Sequence, residues 1–164
     1  MKGGYFYDTC ALKHRYIRTA FSQRIRKVSS GKRWRNCIAE LTVLEISGAF
    51  ASYCREQKWD VRRFDTLRTA FLRDIATGQI AIIPSARLVV MRACQLMRFA
   101  VLLKGRHLKS SDALIASTCL ELALRERRRI VFYTHDRKLI KTLREISAFR
   151  SALVLRYVDP AEAL

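Results

Sequence analysis

The sequence predicts an α/β fold built on a mostly parallel β-sheet. Short apolar runs of strand length alternate with stretches of helical spacing along the whole chain. The strand-like runs are almost continuously apolar, which is typical of parallel strands that are buried on both faces. No linker, internal repeat or low-complexity segment interrupts this alternation, so residues 1–164 are expected to form a single domain.

Five strands are predicted, each from a short run of apolar or β-branched residues. The third run is the clearest, because Pro84 stops a β-branched segment directly after Ile83. The predicted strands cover residues 5–7, 37–39, 80–83, 130–133 and 153–158.

Six helices are predicted between and after these strands. The third has apolar residues at helical intervals from Val61 to Ile75, and Gly78 follows its end, as glycine often does. Ser110 and Ser111 are natural caps for the fifth. The predicted helices cover residues 10–27, 41–53, 59–77, 85–103, 110–125 and 137–146.

The charge balance indicates a polyanionic partner. The chain has 32 Lys and Arg residues against 14 Asp and Glu residues, a formal net charge of +18. Nucleic acid is the favoured partner, and an acidic protein is a compatible second one. A hydrophobic content of 50% argues against a disordered polycation.

The remaining composition narrows the class of protein further. No apolar run approaches the roughly 18–20 residues that span a bilayer, and the N-terminus lacks the apolar core of a secretory signal. The five cysteines are scattered and form no CxxC pair, so neither a zinc site nor a disulfide framework is indicated. A cytoplasmic protein without membrane association is expected, with most cysteines in the core.

Three aspartates stand where predicted strands end or predicted helices begin. Asp8 follows the first strand, Asp136 follows the fourth, and Asp112 lies in the first turn of the fifth helix. Each alone could serve its helix, as an N-cap or as a charge that the helix dipole favours. The carboxyl ends of parallel strands, however, form the crevice in which open α/β sheets bind ligands. These acids are therefore candidate site residues as well as candidate caps.

A fourth acid, Glu45, lies within an apolar helical segment. Leu41 and Ala49 flank it at four residues, which places it on a small, apolar side of the helix. A buried carboxylate needs a cationic or metal partner, and a metal shared with the aspartates would supply one. Pairing with an arginine, or exposure through the twist of the helix, would also explain it. Glu40 is a competing candidate, although its position suits a helix cap better than a ligand.

Four carboxylates without a Cys/His cluster point to a hard divalent cation. Mg²⁺ and Mn²⁺ prefer oxygen ligands and retain waters while binding phosphates. Such ions activate water and stabilise the leaving oxygen in phosphodiester hydrolysis. A basic protein with such a site has the outline of a metal-dependent nuclease.

The four acids lie in four sequence blocks, YFYDTCAL at 5–12, LTVLEISGA at 41–49, SSDALIA at 110–116 and VFYTHDRKL at 131–139. Together these blocks resemble the PIN domain, and most closely the VapC-like toxins of bacterial toxin–antitoxin pairs. The order and the spacing of the blocks also fit the family.

This resemblance implies a three-layer α/β/α architecture with a five-stranded sheet. It implies metal-dependent endoribonuclease activity that leaves a 5′-phosphate and a 3′-hydroxyl, a homodimer, and a cognate antitoxin that inserts a segment near the acids. It favours Glu45 over Glu40 and implies Thr9 and Thr134 as supporting hydroxyls. The implied acidic constellation, both catalytic and metal-binding, is Asp8, Glu45, Asp112 and Asp136.

Basic residues near these blocks are candidates for RNA binding. Nine Lys or Arg residues and no acid occur between Lys13 and Arg35, and a second basic segment precedes Asp112. A solvated face or an antitoxin-docking surface would explain the first segment equally simply. The candidate RNA-binding residues are Lys13, Arg15, Arg18, Arg106 and Lys109.

Two other functions remain compatible with the same residues. The chain could be a nucleic-acid-binding PIN module without turnover, or a PIN nuclease that acts in RNA maturation or on DNA. Two departures from the family keep these alternatives open. Residues 16–20 read YIRTA where the family often has an acid and a glycine, and the +18 charge is high for such toxins.

Overall fold

A five-stranded, all-parallel sheet forms the centre of the protein. The structure, a computed structural model, describes residues 4–29, 35–102 and 107–157. In spatial order the strands run β3-β2-β1-β4-β5, and every neighbouring pair is parallel. The strands are β1 (Gly4–Tyr7), β2 (Arg35–Ala39), β3 (Ile80–Ile83), β4 (Ile130–Thr134) and β5 (Leu153–Tyr157).

Eight α-helices and one short 3-10 helix connect the strands of the described residues. The 3-10 helix, Lys13–Arg15, directly continues the first α-helix. The α-helices are α1 (Thr9–Leu12), α2 (Ser22–Ser29), α3 (Glu40–Glu56), α4 (Val61–Ala76), α5 (Arg87–Leu102), α6 (Ser110–Arg125), α7 (Arg137–Glu145) and α8 (Ser147–Ala152).

Two hydrophobic clusters, one on each face of the sheet, make the fold three-layered. Successive side chains of a strand point to opposite faces, and Phe6 and Tyr7 of β1 accordingly belong to different clusters. Phe6 packs with residues of α5, α6, α7 and α8. Tyr7 packs with residues of α1, α2, α3 and α4. The predicted α/β/α architecture and five-stranded sheet are confirmed.

The first predicted helix, over residues 10–27, is wrong as a single element. The chain leaves the helix after the 3-10 turn and starts again at Ser22. The Ser22 hydroxyl donates to the Ile17 carbonyl over 2.6 Å and accepts from the Thr19 amide over 2.8 Å. These side-chain bonds satisfy backbone groups that a continuous helix would pair with one another, which is how Ser and Thr compete with helix.

The segment between α7 and β5 also differs from the prediction. Residues 147–152 form the separate helix α8, because Ile146 has an extended backbone (φ −101°, ψ 116°) that ends α7. The predicted last strand is confirmed over 153–157, and its residue 158 lies outside the described residues. No helix within the described ranges is long and apolar enough to cross a membrane.

The order of the strands creates a crevice between β1 and β4. The chain moves from β1 outward through β2 to β3, then returns to the other side of β1 with β4. Such a switch in direction separates the loops that follow the two central strands and leaves a binding crevice there. In the register of these strands Tyr7 lies opposite Tyr133, so the chain leaves both strands at the same level. Asp8 and Thr134 come next in sequence.

Candidate active site

Asp8 lies buried at the carboxyl end of β1. It occupies the N-cap position of α1, yet its side chain makes no capping hydrogen bond. Its Oδ2 atom instead accepts hydrogen bonds from the Thr134 hydroxyl over 2.7 Å and from the Cys10 thiol over 3.0 Å. Burial raises the pKa of this carboxyl, and Glu45 raises it further, while the two hydrogen bonds act in the opposite direction. The simple cap interpretation therefore does not explain Asp8.

Asp136 does cap a helix. Its Oδ1 atom accepts from the amides of Lys138 and Leu139, over 2.7 and 3.0 Å, at the start of α7. Its own amide donates to the Thr134 hydroxyl over 3.0 Å. Because both capping bonds use Oδ1, the cap does not require the second oxygen, and a structural role and a ligand role are compatible in this residue.

Asp112 faces the same region from the first turn of α6. The pKa of this half-buried carboxyl rises to about 6. Burial is the main cause, and the negative charges of Asp8 and Asp136 add to it, whereas Lys109 lowers the value. The other carboxylates thus lie close enough to Asp112 to oppose its ionisation.

Glu45 reaches the region from α3 and is held by a neutral partner. The Thr9 hydroxyl donates to Glu45 Oε2 over 2.5 Å. The glutamate is half-buried, which agrees with the apolar surroundings that its sequence position predicts. Glu40 is exposed instead, and its carboxylate accepts a 3.4 Å hydrogen bond from the Ser85 amide.

One open cleft of about 370 Å³ brings the four acids together. They come from the end of β1, from α3, from α6 and from the start of α7, segments that are far apart in sequence. Glu40 is not among the lining residues. The cleft is lined by Asp8, Thr9, Cys10, Lys13, Glu45, Lys109, Ser111, Asp112 and Asp136.

The basic residues predicted to bind RNA have different environments. Lys13 and Lys109 line the cleft, and Arg18 is exposed outside it. Arg15 is engaged elsewhere, because its guanidinium pairs with Asp74 over 2.8 Å and donates to Gln79 over 2.8 Å. Arg106 lies outside the described residues.

Cys10 is a site residue that sequence reasoning missed. The expectation for the cysteines was the hydrophobic core, and Cys37, Cys54 and Cys119 are buried as free thiols. Cys10 is half-buried in the cleft, where its sulfur donates to Asp8 and accepts from the His135 amide over 3.0 Å. Burial raises its pKa, with Asp8 adding to the effect, so the sulfur is a neutral donor. Its position two residues after Asp8 was the signal available in the sequence.

Two histidines fix the loop that carries Asp136. The ring of His135 packs edge-on against Phe21 and His14, with centroid separations of 4.3 and 5.5 Å. Burial, together with the charges of Lys13 and His135, lowers the pKa of His14 to about 4. His14 is therefore neutral at physiological pH, and its ring packs beside the end of β4 without adding a charge of its own.

The donor set of the cleft fits a hard divalent cation. Four carboxylates supply oxygen ligands of the kind that Mg²⁺ and Mn²⁺ prefer. A cation would relieve the repulsion from neighbouring carboxylates, which adds to the effect of burial in raising the pKa of Asp112. Among the residues that the structure describes, however, no three acidic, histidine or cysteine side chains are already grouped tightly enough to hold an ion. Binding therefore requires rotation of side chains such as Glu45.

Comparison with solved structures identifies the fold. A chain of VapBC2 from Rickettsia felis, solved with a DNA fragment from their promoter, superposes with a TM-score of 0.61 at 15% identity, covering 95% of this chain and 99% of that one. A chain of FitAB bound to the IR36 DNA fragment gives 0.60 at 15% identity, covering 92% and 94%. The chain has a PIN-like fold. The fold that the sequence resemblance implied is thereby confirmed. Neither a protein-family model nor a curated protein sequence matches the chain.

Proposed function

We propose that this protein is a metal-dependent endoribonuclease and the toxin of a toxin–antitoxin pair. The observation that carries the proposal is the convergence of four carboxylates, from four separate segments, in one cleft of a chain with net charge +18. Grouped carboxylates repel one another unless a cation binds between them. Their concentration at one point of a strongly basic protein therefore favours a role as cation ligands. The PIN-like fold supports this proposal.

The proposed roles follow from the contacts in the cleft. Asp8, Glu45, Asp112 and Asp136 would hold Mg²⁺ or Mn²⁺, and the bound ion would supply an activated water and stabilise charge at the phosphate. Thr134 and Cys10 orient Asp8, while Thr9 orients Glu45. Lys13 and Lys109, which line the same cleft, would attract the phosphodiester backbone against the local negative charge.

An antitoxin is the proposed protein partner. Two solved structures of similar fold, VapBC2 and FitAB, are two-component assemblies that were each solved with DNA. By analogy, a cognate antitoxin would hold this chain inactive by covering the cleft, and the complex would bind DNA. If a small open reading frame adjoins this gene, its co-expression with the chain, followed by co-purification, tests the pairing.

A homodimer is proposed from the same resemblance and is supported by the surface of α5. Leu88, Met91, Phe99 and Leu102 of this helix are each about half-exposed or more. Large apolar side chains grouped on one exposed helix are typical of an interface. Light scattering of the purified chain should give twice the mass of 19.0 kDa, and Phe99→Glu should reduce it towards the monomer.

Cleavage of a panel of tRNA, rRNA fragments and single-stranded DNA tests the activity. Wild type and Asp112→Asn, purified identically, would be compared with Mg²⁺, Mn²⁺ or EDTA. We expect metal-dependent RNA products with 5′-phosphate ends from wild type alone. Equal products from both proteins would indicate a contaminating ribonuclease and contradict the proposal.

A binding module without turnover is the second candidate. It is favoured by the observation that no three of the site side chains are grouped for an ion within the described residues. It predicts salt-sensitive nucleic-acid binding, no products with any metal, and no rise in the melting temperature when Mn²⁺ is added. Products from DNA, or the absence of an antitoxin gene, would instead favour a PIN nuclease outside toxin–antitoxin systems.

A further inference from the structure

A second groove continues from the acid cleft along α7. It has a volume of about 670 Å³ and shares Lys109, Asp112 and Asp136 with the acid cleft. We call it the α6–α7 groove, because it lies between the segment that leads into α6 and the exposed side of α7. Its lining residues are His107, Leu108, Lys109, Asp112, Asp136, Lys138, Leu139, Lys141 and Thr142.

The charges of the groove change with distance from the acids. Asp112 and Asp136 stand at the end shared with the cleft, and Lys138 and Lys141 line the remainder. Both lysines are exposed, and neither forms an ion pair with an acid of the described chain. Cations that have no structural partner and line a concave surface are available for an anionic ligand.

The apolar base of the groove and the spacing of its two exposed lysines suit a single polynucleotide strand. Leu108 and Leu139, which are buried, provide an apolar base beneath the cations. Lys138 and Lys141 are three residues apart on one helix, so their Cβ atoms are about 5–6 Å apart. That separation is close to the spacing of successive phosphates along a strand. The volume of the groove, about 670 Å³, is that of a small-ligand pocket.

We propose that the α6–α7 groove binds the single-stranded RNA segment next to the cleaved phosphodiester, with Lys138 and Lys141 contacting its phosphates. This inference rests on the proposed nuclease function. A phosphodiester at the acids has neighbouring phosphates on each side, and the groove opens directly from Asp112 and Asp136. A single strand that occupies the groove would carry its next phosphates over Lys138 and Lys141 while one phosphate reaches the acids.

The double variant Lys138→Ala/Lys141→Ala tests the groove, with Arg62→Ala/Arg68→Ala as the matched control. Alanine preserves the helix and the backbone amide of residue 138 that Asp136 caps. The control removes the same charge from exposed positions of α4, which contacts β3 at the other edge of the sheet from α7. The probe is a fluorescein-labelled, single-stranded oligouridylate, with binding measured by anisotropy in EDTA as salt is raised.

We expect the groove variant to lower the slope of log affinity against log salt by about 1.4, since each phosphate contact of single-stranded nucleic acid contributes about 0.7. The control should retain the wild-type slope. With a cleavable RNA and metal, the groove variant should raise KM with little change in kcat. A hairpin probe should bind equally to wild type and to the groove variant.

Three outcomes would overturn the inference. The first is an unchanged slope of log affinity against log salt in the groove variant, and the second is an equal decrease of that slope in the control. In the third, the groove variant binds oligouridylate normally but no longer binds poly-L-glutamate, used as a second probe, which would assign the groove to an acidic polypeptide. Failure of the nuclease proposal is distinguishable. In that case wild type cleaves no RNA under any metal, while the binding experiment in EDTA still decides whether the groove holds the strand.

Discussion

The hydroxyl of Thr134 donates to Asp8 Oδ2 over 2.7 Å and accepts from the Asp136 amide over 3.0 Å. A single buried side chain at the end of β4 thus links the first and last acids of the cleft. The parallel register that sets Tyr7 opposite Tyr133 brings these groups together, although Thr134 and Asp8 are 126 residues apart in sequence.

Thr134→Val should reduce both stability and cleavage. The substitution keeps the side-chain shape but removes the donor to a buried carboxylate, which should cost about 1–3 kcal/mol in the free energy of unfolding. Cleavage should fall roughly 10- to 100-fold, as for other residues that orient a metal ligand. Urea unfolding and initial rates measure the two effects. Thr134→Ser should restore most of both, and wild-type activity in Thr134→Val would exclude the positioning role.

Glu45→Gln and Glu40→Gln should behave differently, although the two residues are five positions apart. Glu45 lines the cleft, whereas Glu40 is exposed outside it. Loss of the Glu45 charge should lower the cleavage rate about 100-fold or more, since partners that only orient a metal ligand already contribute 10- to 100-fold. Glu40→Gln should cleave like wild type. Initial rates under saturating Mn²⁺ provide the comparison, and the reverse pattern would assign the site to Glu40.

The stability of the metal-free protein should decrease as pH rises from about 4 to about 7. The pKa of Asp112 is about 6 in the folded protein and that of Asp8 is also raised, both mainly by burial. A folded state with the higher carboxyl pKa binds protons more tightly than the unfolded chain, so deprotonation opposes folding throughout this window.

Urea unfolding in EDTA at several pH values measures this dependence. Asp112→Asn removes one of the ionising groups, so its unfolding midpoint should vary less with pH and exceed that of wild type at pH 7. Saturating Mn²⁺ should reverse the trend, because the ion favours the ionised carboxylates. A wild-type midpoint that rises with pH in EDTA would contradict the raised pKa values of Asp8 and Asp112.

Arg15→Ala should destabilise the protein without weakening RNA binding. Asp74 is buried and, among the residues that the structure describes, would keep only the Tyr16 hydroxyl, 2.9 Å away, as a hydrogen-bond donor. Leaving such a charge without its cation should cost about 3 kcal/mol in the free energy of unfolding. Arg18→Ala is the matched exposed control and should leave stability unchanged. A rise in the Kd for oligouridylate specific to Arg15→Ala, with normal stability, would show that Arg15 binds RNA.

Local patterns in the sequence predicted the strands and singled out the acids that line the cleft. Apolar runs bounded by Pro84 or by Asp8 read correctly as strands, because burial on both faces of a parallel sheet leaves a continuous signature. The family resemblance chose Glu45 over Glu40, and the cleft contains Glu45. Periodicity alone did not make that choice.

Contacts between segments that are distant in the chain could not be predicted from the sequence. Arg15 reads as an RNA-binding cation, and only the fold reveals Asp74, 59 residues away, as its partner. Cys10 reads as a small core residue, and only the pairing of β1 with β4 places its sulfur against Asp8 and the amide of His135. The break before Ser22 depends on side-chain bonds to Thr19 and Ile17, which override a helical pattern.

The pairing of β4 with β1 also determines when the cleft first exists during synthesis. β1 and α3 emerge early from the ribosome, but the strand that lies beside β1 begins only at Ile130. A nascent or prematurely released chain that stops before this point lacks Thr134 and Asp136, so Asp8 has neither its hydrogen-bond donor nor its neighbouring acid. The complete acid cleft therefore forms only after the segment that contains β4 and Asp136 has been synthesised.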